Sequence, residues 1–128
     1  MTRALLLENP HDVADDIFAK FGIEVTRVKG ALSEDDLIEA LEGMDYLGLR
    51  SKTEVTERVL RARPELKAIG AFCIGTNQID LATVTEMGIA VFNAPYSNTR
   101  SVVELAIGEI IDLSRRVTVK NSRLHRGV

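Results

Sequence analysis

The chain has 128 residues, 45% of them hydrophobic and 27% charged, with a formal net charge of −3. That is enough for one domain with a true core and too little for two. The mild negative balance creates no general attraction to nucleic acid or to an anionic membrane, so neither is expected as a partner.

Elements follow one another regularly along the chain. An apolar, β-prone run at residues 4–7 precedes a helical pattern over 11–21, with Val13, Ile17, Phe18 and Phe21 on one face and Gly22 as its left-handed stop. A second strand is predicted at 23–28. Ser33 then caps a short helix, with Asp36 three residues on, as in a capping box that carries Asp instead of Glu. Leu37, Ile38 and Leu41 turn inward, and Gly43 ends that helix. The third strand spans 46–49, and Thr56 caps a helix over 57–63 that stops before Pro64. A fourth strand at 66–72 leads to a helix over 81–87, capped by Asp80 and ended by Gly88. The fifth strand covers 89–92. A long closing helix is predicted over 101–126, started by a Ser101–Glu104 capping box.

Strand and helix alternating at about 20 residues per unit imply right-handed crossovers and a parallel sheet. The runs at 4–7 and 68–72 are apolar throughout, as strands covered on both sides are. The expected fold is α/β: a flavodoxin-like, five-stranded parallel sheet with helices on both faces, plus a long C-terminal helix. That last helix places Val102, Val103, Ile107, Ile110, Ile111 and Leu113 over much of its surface, more than one neighbour buries. With no strand after it, the chain is expected to be the front part of a larger protein or to pair through this helix. Gly108, within it, would let another backbone approach closely.

In such sheets, ligands sit beyond the carboxyl ends of the strands, so function is sought in the loops that leave strands three, four and five. Arg50-Ser51-Lys52-Thr53 supplies two cations and two hydroxyls, suited to a carboxylate or phosphate, or forms a plain solvated turn. Gly75, Thr76 and Asn77 present either an amide nest for an anion or a simple turn into the helix capped by Asp80. In the third loop, Asn98 and Thr99 either cap the helix or hold a ligand.

Other signals are set aside. Gly70-x-x-x-x-Gly75-Thr76 lacks the P-loop lysine, and no G-x-G-x-x-G occurs, so the chain carries no dinucleotide fingerprint of its own. The acidic acceptor of a receiver domain is replaced by Arg50, and a flavodoxin phosphate loop by Glu8-Asn9-Pro10. His11 and His125 stand apart from any second ligand at metal spacing, so no metal site is expected. Cys73 is alone, which excludes an internal disulfide and suits a reducing, cytoplasmic compartment. No apolar run approaches the roughly 20 residues of a membrane span.

Three stretches carry a resemblance: residues 48–53 (Gly-Leu-Arg-Ser-Lys-Thr), residues 68–81 and residues 91–105. Together they make the chain similar to the D-isomer-specific 2-hydroxyacid dehydrogenases, in particular those acting on a phosphorylated 2-hydroxy acid. The resemblance implies a substrate domain split around an inserted Rossmann domain, with NAD held mainly by that absent domain. Residues 1–97 would be the N-terminal part of the substrate domain, and 98–128 an interdomain helix serving a homodimer or homotetramer. Arg50, Ser51 and Lys52 would hold substrate phosphate and carboxylate, although Lys52 stands where a second arginine is common. Gly75, Thr76 and Asn77 would present amides to the carboxylate, and Asn98 would contact substrate. Ile74 and Val102 would lie at the cofactor. The family's catalytic arginine, glutamate and histidine have no counterpart in this chain. A non-enzymatic alternative is a stand-alone flavodoxin-like module that binds a small anion or dimerises.

Overall fold

A computed structural model describes all residues 1–128, which divide into two units, Met1–Pro95 and Tyr96–Val128. In the first unit β1 (Thr2–Leu7), β2 (Ile23–Val28), β3 (Tyr46–Leu49), β4 (Ala68–Ala71) and β5 (Ala90–Asn93) form one sheet. Every neighbouring pair is parallel, and the strand order is β2-β1-β3-β4-β5. This is the flavodoxin-like arrangement that the sequence pattern implies.

Register decides which side chains share a face. Leu5 pairs with Leu47, Leu47 with Ile69 and Ile69 with Val91, so these four form one row across the sheet. Three helices close over that face: α2 (Glu34–Ala40), α3 (Glu57–Ala62) and α4 (Leu81–Met87). They contribute Leu37, Val59, Leu60 and Val84 to the core, joined by Leu41 just beyond α2. Fully burying each such aliphatic side chain contributes about 1.5–3 kcal/mol. The opposite face is built from smaller residues. Gly48 and Gly70 floor an apolar hollow there, bordered by Phe72, Phe92 and Phe18 of α1 (Val13–Lys20).

Local signals set the helix ends. Ser33 Oγ accepts the Asp36 N–H at 3.3 Å, Thr56 Oγ1 the Val59 N–H at 3.4 Å, and Asp80 Oδ1 the Thr83 N–H at 3.1 Å. Each such cap contributes about 1 kcal/mol. Asp36 is too short for the reciprocal half of a capping box; its carboxylate accepts the Ser33 hydroxyl at 2.6 Å. Gly22 and Gly88 take φ of +69° and +71°, the left-handed turn that ends a helix.

The second unit departs from the single closing helix predicted over 101–126. It contains α5 (Thr99–Arg115) and α6 (Val117–His125), separated by Arg116 at φ +54°. Asp112 explains the break. Its Oδ1 accepts both the Thr118 N–H at 2.8 Å and the Thr118 hydroxyl at 2.7 Å, capping α6 from within α5. Nor does the Ser101–Glu104 capping box form. The helix starts earlier, with Asn98 at the N-cap position, and Glu104 is taken by Arg100 Nε at 2.6 Å.

Candidate functional site

Strand order reverses between β1 and β3, and the crevice at that reversal, beyond the carboxyl ends of the strands, is where an open α/β sheet holds ligands. Glu8 leaves β1 there and Arg50 leaves β3. The β1 turn is conformationally costly: Glu8 and Asn9 both take left-handed backbone, at φ +62° and +53°. Asparagine tolerates this region, whereas for glutamate it costs on the order of 1 kcal/mol or more. Several bonds hold the turn nonetheless. The Glu8 N–H donates to Val28 O at 3.1 Å and to Gly30 O at 3.3 Å. Arg27 donates to the Pro10 and His11 carbonyls at 2.8 and 3.3 Å while its Nε pairs with Asp15 at 2.9 Å. His11 Nδ1 accepts the Val13 N–H at 3.2 Å and so serves the start of α1.

The Glu8 side chain, only 8% exposed, crosses to the β3 turn. Its Oε2 accepts the N–H groups of Arg50 at 3.0 Å and Thr53 at 3.2 Å, and its Oε1 that of Lys52 at 2.8 Å. Burial pushes the carboxyl's pKa up more than any single bond pulls it down. The amides of Lys52, Arg50 and Thr53 together outweigh burial and leave it below its ordinary value. The Thr53 hydroxyl is fully buried and has no hydrogen-bond partner.

With its amides directed inward, the β3 turn presents side chains outward. Arg50, Ser51 and Lys52 are exposed, and neither cation enters any of the chain's ion pairs. They share a hollow of about 270 Å³ with Lys29, Gly30 and Glu8. Arg50 also borders a wider hollow of about 540 Å³ lined by Asn9, His11 and Phe72. Three cations at one mouth therefore face a single backed carboxylate, which favours an anionic ligand.

The β4 and β5 turns are stitched to the same edge. Gln78, itself buried, donates from Nε2 to Arg50 O at 2.7 Å and Gly75 O at 3.3 Å. Asn93 Nδ2 donates to Ile74 O at 2.8 Å, and Ala94 N–H to Cys73 O at 3.0 Å. The turns after β3, β4 and β5 thus converge, as the sequence reading requires. The N–H groups of Gly75, Thr76 and Asn77 donate to no group of the protein and remain available to an anion. Gly75 is not left-handed. A Cβ there would stand 3.1 Å from Asn77 Oδ1, so its smallness serves a close approach. Ile74 is half exposed above this turn. Asn98 and Val102 belong to the second unit, where the Asn98 carbonyl accepts the Val102 N–H at 3.2 Å and Val102 is exposed.

Two residues of this edge, Glu8 and Lys29, escape a reading confined to the last three loops, and Gln78 lies in the β4 turn one residue past the Gly75–Asn77 stretch singled out there. Lys29 and Glu8 follow β2 and β1 directly, so the rule of carboxyl strand ends, applied to every strand, points to both.

Residues 4–122 match the family model of the D-isomer specific 2-hydroxyacid dehydrogenase catalytic domain. This chain belongs to that family. D-3-phosphoglycerate dehydrogenase 2 of Saccharomyces cerevisiae is 50% identical over 123 residues, covering 96% of this chain and 26% of that protein. D-3-phosphoglycerate dehydrogenase of Escherichia coli is 48% identical over 125 residues, covering 97% and 30%. The chain therefore spans less than a third of the length of these relatives. Among solved folds, the TT0316 protein of Thermus thermophilus superposes with a TM-score of 0.82 at 24% identity, over 98% of this chain and 41% of that one. A D-lactate dehydrogenase of Aquifex aeolicus, solved with NAD and lactic acid, superposes at 0.76 with 23% identity, over 96% and 37%.

Proposed function

We propose that this chain is the N-terminal, substrate-gripping part of an NAD-dependent D-3-phosphoglycerate dehydrogenase. The full enzyme would oxidise 3-phospho-D-glycerate to 3-phosphooxypyruvate, the first step of L-serine biosynthesis, in the cytoplasm. The observation that carries this reading is the set of unpaired cations at the β1–β3 reversal, Arg50 and Lys52, with the open amides of Gly75, Thr76 and Asn77 on the adjoining turn. Arg50, Ser51 and Lys52 hold the phosphate and carboxylate region, and Lys29, at the same mouth, adds a third charge. The amides of Gly75 to Asn77 receive the carboxylate, and Asn98 adds a polar contact to substrate.

The residues present fit only the edge of a dinucleotide. Ile74 offers an exposed apolar face whose carbonyl is fixed by Asn93, Val102 offers another, and no glycine-rich phosphate turn exists in the chain. When bound, NAD supplies the acceptor for the hydride from substrate C2. The hydroxyl proton passes to an acid–base group that this chain does not contain, and C2 becomes a ketone. What these residues do is bind and orient the substrate. Residues 98–128 connect to the nucleotide-binding domain and form a homodimer or homotetramer contact. Similarity to dehydrogenases along nearly the whole chain leaves the stand-alone module without support.

Calorimetric titration of the chain with 3-phosphoglycerate tests the proposal. Arg50→Ala removes a charge-assisted contact of about 1.5–3 kcal/mol, so affinity is expected to fall at least tenfold. Equal affinity of the variant and the parent chain would remove Arg50 from the site and the reading with it.

A further inference from the structure

We propose that Glu8 is a positioning residue for the anion site: by filling the amide cradle of the β3 turn, it fixes Arg50, Ser51 and Lys52 in the outward pose that meets a ligand. The inference rests on the reading of this edge as the anion site. A turn whose amides converge is itself an anion nest, and left empty it would compete with its own side chains for the ligand. Here the nest is occupied from within. Two carboxylate oxygens take three N–H groups, those of Arg50, Lys52 and Thr53, at 2.8–3.2 Å. Glu8 is nine-tenths buried, and no cation is within ion-pair reach of it. Its charge is therefore spent on backbone dipoles and does not quench Arg50 or Lys52 directly.

The backbone around Glu8 is consistent with that role. Its left-handed φ of +62° is costly for a glutamate, yet it is what aims the side chain from β1 across to β3. Arg27 pins the Pro10 and His11 carbonyls further along the same turn, and Gln78 holds the Arg50 carbonyl. The Arg50 peptide is thus gripped at its N–H by Glu8 and at its C=O by Gln78. A guanidinium carried on a backbone fixed at both ends loses little freedom when an anion arrives, and preorganisation of that kind raises affinity.

A neutral amide cannot replace the carboxylate. In Glu8→Gln one oxygen is exchanged for an NH2 group, a donor facing donors, so one part of the cradle must open. Amide hydrogen exchange and 3-phosphoglycerate titration of the 128-residue chain test the assignment together. In Glu8→Gln, exchange at Lys52 and at Arg50 or Thr53 is expected to accelerate at least tenfold. Exchange at Leu5 and Leu47, inside the sheet, stays as in the parent chain, and 3-phosphoglycerate binds about tenfold more weakly. Parent-like exchange at the turn would overturn the proposal. So would affinity that is unchanged or tighter, the latter being what simple removal of a negative charge produces. Acceleration spread equally to Leu5 and Leu47 would assign Glu8 a global structural role and also overturn it. Arg50→Ala, titrated beside it, separates the two claims. Lost binding there with normal binding in Glu8→Gln defeats the positioning role alone, whereas normal binding in Arg50→Ala defeats the anion site.

Discussion

At the scale of single residues, packing on the α1 side of the sheet depends on what is missing at Gly48. A Cβ there would overlap Leu6 Cδ2 and come within 2.8 Å of Phe72 Cε2. Phe72 is partly exposed and can swing away; Leu6 is fully buried and cannot. Overpacking of that kind costs about 1–3 kcal/mol, so Gly48→Ala is expected to lower the urea midpoint by a corresponding amount. A midpoint equal to that of the parent chain would show that the strand shifts freely. Glu8 adds a dependence on pH. Its folded-state pKa lies below the ordinary value of 4.5, so its contribution to stability is complete above 4.5 and is lost as the pH falls through the lowered value. Asp15, Glu34 and Asp45 are depressed too, chiefly by hydrogen bonds from Arg27, Thr56 and Lys67 respectively. Acid unfolding of Glu8→Gln is therefore expected to be shallower than that of the parent below pH 4.5, without becoming flat. Superimposable acid limbs would contradict the depressed pKa.

Elements show why some of the chain was legible in advance and some was not. The caps at Ser33, Thr56 and Asp80 use partners three residues away, and the stops at Gly22 and Gly88 need only one residue's backbone freedom. Information of that range is present in any short window of sequence. β2 and β3 were likewise readable because a β-branched or apolar run between turn residues leaves few alternatives. The Ser101–Glu104 box failed because the helix begins at Thr99, which puts Ser101 inside its first turn, and Glu104 pairs with Arg100 four residues before it. Glu8 was invisible for a different reason. Its partners stand 42 to 45 residues away, and only the pairing of β1 with β3 brings them near. The break at Arg116 falls between these cases. A helical period runs across it, but Asp112 offers Thr118 a second cap, and Arg116 accepts a left-handed backbone to let it form. Asp112→Ala is expected to cost about 1 kcal/mol of local helix stability and to raise exchange at the Thr118 amide several-fold. Unchanged protection at Thr118 would mean that the break has another cause.

At the largest scale, α5 presents an apolar face that the rest of its own unit does not cover. No helix is long and apolar enough to cross a membrane, yet α5 exposes Leu105, Ile110 and Leu113 at 67%, 62% and 73%. Val103, Ile107, Ile110 and Leu113, spaced three or four residues apart and all exposed, line one face of this helix as an apolar stripe. The homo-oligomer contact proposed for residues 98–128 would cover an apolar surface of this kind. In a homo-oligomer the two-fold arrangement, in which one patch meets its own copy, is the commonest solution. Ile110 stands near the middle of the stripe, three residues from both Ile107 and Leu113, and a charge there would be buried without a partner in any such contact. Sedimentation velocity is therefore expected to show association that grows with concentration, and Ile110→Lys to shift the population to monomer while the sheet amides keep their protection. A parent chain that stays monomeric across the accessible range would leave α5 without a self-contact, and the dimer role proposed for residues 98–128 would fall with it.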